Sequence, residues 1–274
     1  MKHIVMFSGG IGSWAAAKRV AQKYGTEDLI LLFSDTLIED EDLYRFLYEA
    51  AANVGGGFVK LCEGRTPWEV FHDVRYLGNS RVDPCSRVLK REIADKWLRD
   101  NCDPSDTTVY VGIDWSEQHR IERLAALRAE QGWHYEAPMC APPYLSKAMM
   151  LDWLKDEGIK PPRLYTMGFS HNNCGGFCIK AGFGHFARLL EAMPNRYKEH
   201  ERKEQELRDY LERQDITILR EHTPDGQPKK NITLREFREQ IENGLQPDLF
   251  DVGGCGCYVD EGQEIVIDKP FKIG

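Results

Sequence analysis

The stretch KHIVMFSGGIGSW, Lys2 to Trp14, decides how this chain folds. Lys2 to Phe7 is a short apolar run that reads as a buried strand, and Trp14 to Tyr24 has the apolar spacing and alanine content of a helix. Between them lie two serines and three glycines. Glycines let a backbone take positive φ and approach a phosphate closely, and the N–H groups of a helix N-terminus supply the positive end. Ser8 and Ser13 add hydroxyl donors. The loop has no Gly-Lys of a Walker A motif and no convincing G-x-G-x-x-G. A plain glycine-rich strand-to-helix turn is the structural alternative.

Outward from this unit, the pattern to about Leu127 alternates short strands with amphipathic helices, the signature of a parallel α/β sheet. Leu29 to Ser34 is a second buried strand, Asp40 to Val54 a helix, Phe58 to Cys62 a third strand, and Thr107 to Ile113 a strand led by β-branched residues. A helix is predicted over Val88 to Arg99. After Gly132 the alternation weakens, and prolines bracket one amphipathic helix, Lys147 to Glu157. Residues 184–214 read as long charged helices broken near Pro194, with the mixed-sign run Arg196 to Arg213 a solvated helical face. Thr223 to Lys230 is a turn-rich connection and Thr233 to Asn243 a short helix. The division predicted is residues 1–183 for the nucleotide-binding α/β domain and 184–274 for a helical C-terminal region with a Cys-Gly-Cys tail segment.

The 274 residues are enough to bury a full core, and 42% hydrophobic with 29% charged residues is ordinary globular composition. A net charge of −8 argues against indiscriminate nucleic-acid binding, so a polyanion must be met by a local basic groove. No signal-peptide h-region and no apolar run near the ~18 residues of a membrane span is found. The expectation is a cytoplasmic protein without membrane attachment. In that compartment, eight cysteines read as metal ligands or reactive thiols more readily than as disulfides.

The loop resembles the S-G-G-x-D-S motif of PP-loop ATP pyrophosphatases, matched at Ser8, Gly9, Gly10, Ile11 and Ser13. Within that superfamily the resemblance is to the phosphoadenosine phosphosulfate reductase family, in a phage- or bacterial-type member of the sulfur-transfer kind. The fold it implies is a doubly wound parallel sheet of the adenine nucleotide α-hydrolase type with a helical C-terminal extension. Gly12 stands where the superfamily usually has aspartate. A glycine brings no carboxylate for Mg²⁺, so binding ATP or a related adenosine nucleotide follows more directly than cleaving it. Ser34-Asp35-Thr36 resembles the family's D-T segment beside the nucleotide, with Asp35 an acceptor for adenine or ribose; a turn cap is the alternative. Gly112-Ile113-Asp114 with Glu117 and Arg120 resembles the strand-end segment near the phosphates, where a doubly wound sheet binds its ligand. The alternative there is a surface helix start with an Asp cap.

Pro84-Cys85-Ser86-Arg87, with Lys90 beyond, falls where the family carries cysteines followed by basic residues. Arg87 and Lys90 are candidates to hold phosphates, and a thiol beside two cations gains thiolate character. Pro161-Pro162-Arg163-Leu164-Tyr165 and Gly168 lead to Cys174-Gly-Gly-Phe-Cys178, similar to the family's P-L-Y segment and paired cysteines, with three intervening residues instead of two. Cys255-Gly-Cys257 is a further pair. The resemblance implies a [4Fe–4S] cluster on Cys85, Cys174, Cys178 and one of Cys255 or Cys257; a zinc Cys₄ site is the rival. Cys62, Cys102 and Cys140 read as core or surface residues, and His171, Asn172 and Asn173 as donors flanking the pair.

The function so implied is ATP-dependent adenylation followed by sulfur transfer to a tRNA or DNA acceptor, with Cys85, Lys90 and Arg120 as catalytic candidates. Sulfonucleotide reduction is the second reading, lowered by the lack of an E-C-G-x-H tail. A non-catalytic nucleotide-binding redox sensor is the third. Residues 184–250 are left to bind the acceptor, cover the cleft or make a homodimer contact.

Overall fold

The computed structural model describes residues 1–78, 82–221, 230–249, 251 and 253. β1 (Lys2–Met6), α1 (Ile11–Tyr24), β2 (Leu29–Asp35), α2 (Glu41–Val54) and β3 (Gly57–Cys62) form two successive strand–helix–strand crossovers. α3 (Pro67–Asp73) follows. A helical run over residues 84–101 begins as α4 (Pro84–Ser86), widens into a π-helix at Arg87–Glu92 and ends as α5 (Ile93–Asn101). β4 (Thr107–Tyr110), α6 (Gln118–Ala129) and β5 (His134–Glu136) complete the sheet. Its order is β3-β2-β1-β4-β5, with every pairing parallel.

The doubly wound sheet expected from the sequence is therefore present. β1 alternates its side chains between two buried layers, as a central parallel strand must. Val5 and Phe7 pack with Trp14, Phe46 and Leu154 on one face, and Ile4 and Met6 with Leu98, Ile121 and Leu124 on the other. The chain leaves β1 for β2 on one side while β4 lies on the other, so the crevice at the sheet's carboxyl edge opens between β1 and β4.

Three details differ from the sequence reading. β5 was not anticipated, because His-Tyr-Glu carries no period. β4 ends at Tyr110, and Val111 continues only through its N–H to the Glu136 carbonyl at 3.0 Å. The helix predicted over Val88 to Arg99 has a π-helical first half. That widening accompanies the burial of three consecutive side chains, Leu89, Lys90 and Arg91, which a single face of a regular helix does not allow.

After α7 (Lys147–Asp156) and α8 (Arg163–Thr166), the helices α9 (Phe183–Ala192), α10 (Pro194–Tyr210) and α11 (Leu234–Glu242) with the hairpin β6 (Leu219–Arg220) and β7 (Asn231–Ile232) build a further core. Trp68, Phe71, Leu164 and Phe177 join Phe186, Tyr197 and Phe237 in it, so the C-terminal helices share their interior with α3, α8 and the cysteine turn. The charged run of α10 has the expected outer face, with a buried stripe of Tyr197, His200, Glu201, Glu204 and Leu207 beneath it. Glu204 accepts the Ile218 N–H at 2.9 Å and the Leu234 N–H at 2.7 Å, tying α10 to the hairpin and to α11. No described helix is long and apolar enough to cross a membrane.

Candidate functional site

α2, α3 and α11 each begin on a side-chain cap: Asp40 accepts the Asp42 N–H, and Thr66 and Thr233 form capping boxes with Glu69 and Glu236. α1 has none. Its N-cap is Gly10, with no side-chain cap bond and no acidic residue in the first turn. The first N–H groups of a helix need partners from elsewhere. Here Ile11 donates to the Tyr165 hydroxyl at 3.0 Å, while Ser13 Oγ donates back to the Gly10 carbonyl at 2.8 Å and Ser8 Oγ donates to Ser13 Oγ at 3.3 Å. Gly9 sits at φ +76°, a conformation side chains rarely adopt, with Leu43 packed beneath it.

This helix start forms one wall of a cleft of about 280 Å³ lined by Ser8, Gly10, Gly12, Ser13, Gly112, Asp114, Glu117, Arg120, Lys147, Tyr165, His171 and Asn173 among others. The cleft lies at the β1/β4 switch point. It therefore brings together two of the segments singled out in the sequence, the serine–glycine loop and the Gly112-to-Arg120 strand end.

Their junction is very close. A Cβ on Gly12 would stand 2.6 Å from the Gly112 carbonyl oxygen, and one on Gly112 would stand 2.5 Å from Ser13 N and 2.7 Å from the Gly12 carbonyl carbon. Each glycine is there because the other backbone is. An aspartate side chain at position 12 has no room in this arrangement. Of the two carboxylates in the cleft, Asp114 caps the Ser116 N–H at 2.9 Å and takes its hydroxyl, and Glu117 is ion-paired with Arg120. These residues do not fit the Mg²⁺ site that the motif resemblance implied.

The opposite wall supplies positive charge. Lys147, at the first turn of α7, donates to the Ser170 carbonyl and lies over the Tyr165 ring with Nζ 4.3 Å from its centroid. Among the described residues no carboxylate pairs with it, and burial holds its pKa down to about 8. Tyr165 is set by α8, which Arg163 pins to the start of α2: its N–H donates to Asp42 at 2.7 Å and its Nη2 to Asp40 at 2.8 Å.

The cysteine turn hangs on the same loop. Asn172 is buried and donates to the Gly9 carbonyl at 2.9 Å, so the chain two residues before Cys174 is bonded to the serine–glycine loop. His171 reaches the cleft and stacks on His185 with ring centroids 5.1 Å apart; burial pushes its pKa down to about 3, and its Nδ1 has no hydrogen-bond partner among the described residues. Cys174, Gly175 and Gly176 all have positive φ. The Cys174 N–H donates to Glu39, whose other oxygen accepts from Thr36 at 2.8 Å, and Arg196 donates to the Gly175 carbonyl at 3.0 Å. Burial raises the Glu39 pKa, with Lys90 opposing it.

Lys90 lies at this turn and does not line the cleft at the α1 start: its ammonium is buried, 3.8 Å from Cys174 Sγ. Arg87 is half exposed and pairs with Glu92, also away from the cleft. Asp35 is buried beside β3, with Oδ1 accepting from Leu37 N at 2.9 Å and Tyr44 at 2.8 Å and Oδ2 paired with Lys60 at 2.7 Å. These bonds lower its pKa against the desolvation that raises it. The turn-cap alternative describes its contacts.

Cys178 is buried and Cys85 half-buried against the same apolar core. Cys62 is exposed and Cys102 and Cys140 are partly buried. Among the described residues no three His, Cys, Asp or Glu side chains are gathered as a metal requires. Cys255 and Cys257 lie outside the described residues. Immediately before them, Gly253 bridges Ala181, the Gly184 N–H donates to the Asp251 carbonyl at 2.8 Å, and Phe183 N–H to the Asp251 carboxylate at 3.2 Å. The C-terminal segment is thereby laid beside the residues that follow Cys178.

Lys147, Glu39 and the Tyr165 hydroxyl were missed as site residues. Lys147 follows a Ser146 cap and reads as any surface lysine, and nothing in the sequence shows that α7 closes over the loop.

No protein-family model matches the chain, and no curated protein matches it. A solved structure to which it is similar is the phosphoadenylyl-sulfate (PAPS) reductase of Candida auris in its phosphate complex, at 16% identity and a TM-score of 0.43, over 62% of this chain and 80% of that one.

Proposed function

We propose that the chain is an adenosine-nucleotide-binding enzyme that couples its phosphate cleft to a cysteine centre, activating an acceptor oxygen of a nucleic acid by adenylation and replacing it with sulfur. The observation that carries this reading is the Asn172 bond to the Gly9 carbonyl, which joins the cysteine turn to the loop at the helix N-terminus. In the adenylation step the acceptor oxygen attacks the α-phosphorus and pyrophosphate leaves. A sulfur nucleophile then attacks the adenylated carbon and AMP leaves with the oxygen. The α1 N-terminus, whose Ile11 N–H the Tyr165 hydroxyl now accepts, would hold the phosphates and their developing charge together with Lys147.

The donor chemistry at Cys174 suits a thiolate ligand, since a buried ammonium faces its sulfur. The set that the resemblance implies for a [4Fe–4S] cluster or a zinc ion, Cys85, Cys174, Cys178 and one of Cys255 or Cys257, would supply a binding place for the sulfur donor, although its three described members are not gathered as a metal requires.

A second reading, reduction of a sulfonucleotide, is favoured by the cleft's lack of a carboxylate at position 12, because reduction needs no metal-assisted cleavage of ATP. The test uses anaerobically purified protein. Visible absorbance with iron, sulfide and zinc quantification distinguishes cluster from zinc. Release of AMP and pyrophosphate from ATP in the presence of tRNA or DNA supports adenylation, sulfite release from a sulfonucleotide with thioredoxin supports reduction, and nucleotide binding without either leaves a redox-sensing module.

A further inference from the structure

The family motif implies a divalent cation on the phosphates, and the cleft is built against one. Gly12 and Gly112 meet backbone to backbone, so no carboxylate can be carried there, and Glu117 and Asp114 are engaged locally. In the same cleft a lysine from a distant helix is held by a carbonyl and an aromatic face, with no carboxylate near it among the described residues. Neither a carbonyl nor a ring neutralises an ammonium; each only orients it. The Tyr165 hydroxyl, which that ring carries, sits on the Ile11 N–H where a phosphate oxygen of a bound ligand would be an equal acceptor.

We propose that this cleft takes the phosphates of its ligand as a free polyanion, without a divalent cation, and that Lys147 is the residue that selects for their charge. This rests on the nucleotide-site reading above. The ligand class is a nucleotide or diphosphate whose charge is met by Lys147 and the α1 N-terminus together. Lys147 contacts Tyr165 and Ser170, both on the segment that leads into Cys174.

The test is calorimetric titration of ATP and of inorganic pyrophosphate into the full chain, once in EDTA and once with Mg²⁺, for the parent, Lys147→Met and Lys147→Arg, with thermal melts confirming that each variant is folded. The expected result is binding in EDTA at least as tight as with Mg²⁺, a loss of tenfold or more in Lys147→Met, and retention within threefold in Lys147→Arg. Binding that tightens tenfold or more with Mg²⁺, or a folded Lys147→Met that binds like the parent, overturns the inference while leaving the nucleotide site in place. Absence of binding in both buffers overturns the nucleotide-site reading, and the inference with it.

Discussion

Gly12 carries more of this site than any charged residue the sequence offers. Its contact with the Gly112 carbonyl lets the α1 N-terminus sit against the end of β4, which closes the inner wall of the cleft. Gly12→Asp restores the motif in sequence and forces a side chain into a 2.6 Å gap. The expected cost is about 1–3 kcal/mol of stability, as for other overpacked sites, read from urea unfolding, with nucleotide affinity falling rather than gaining Mg²⁺ dependence. Tyr165 acts at the other end of the loop. Tyr165→Phe removes the acceptor of the Ile11 N–H and is expected to lower stability by about 1 kcal/mol in the same assay. A phosphate ligand should recover most of that loss, because it satisfies the same donor.

At the level of elements, α10 is the beam on which the C-terminal region is assembled, and Glu204 is its joint. Desolvation lifts the Glu204 pKa to about 7, against the two backbone N–H bonds that favour its charged form. The folded pKa thus lies above the unfolded one, so the fold binds more protons between about pH 4.5 and 7, and the group's contribution to stability declines as pH rises through that window. Buried His171 and His200 push the opposite way, their folded pKa values being lowered to about 3. A comparison that isolates Glu204 is therefore needed. Glu204→Gln, measured against the parent by urea midpoint, should gain in relative stability from pH 5 to pH 8; a constant difference across that range would contradict the assignment. The π-helical Arg87–Glu92 shows the same logic in a second element, where local widening accompanies the burial of Lys90 against Glu39 and Cys174.

For the whole molecule, the question is how Asp248, Leu249, Asp251 and Gly253 reach the segment that follows Cys178. Three glycines answer it. A Cβ on Gly182 would meet the Asp251 carboxylate at 2.2 Å, one on Gly184 would meet the Asp248 and Leu249 carbonyls at 2.7 Å, and Gly253 lies equally close on Gly182 and Lys180. Gly182→Ala should detach this strap. The expected readouts are faster proteolysis after residue 244, a lower Tm and, on the reading that Cys255 or Cys257 is a ligand, reduced iron or zinc per chain. Unchanged metal content with a detached strap would remove the C-terminal pair from the ligand set.

The parts legible from residues alone were those fixed by local pattern. The period of Lys2–Met6 and Leu29–Asp35, the alanine-rich α1 and the glycines at positions 9, 10 and 12 were enough to place a glycine-rich loop at a helix start in a parallel sheet. Gly112, Asp114, Glu117 and Arg120 were singled out by their resemblance to the family's strand-end segment, and they do line the cleft. Arg87, Lys90 and Asp35 were placed by motif order, which fixes their element and not their direction; the π-helical winding, the half-exposed pairing with Glu92 and the bonds to Lys60 and Tyr44 fix that. What the sequence by itself determined was the sheet and the place of its glycine loop at a helix start, because both follow from contacts between near neighbours along the chain. The pairing of Gly12 with Gly112, of Tyr165 with the Ile11 N–H, and of Asn172 with Gly9 was decided only by the tertiary structure. Each joins residues a hundred or more positions apart, and no local period records which distant backbone will arrive there.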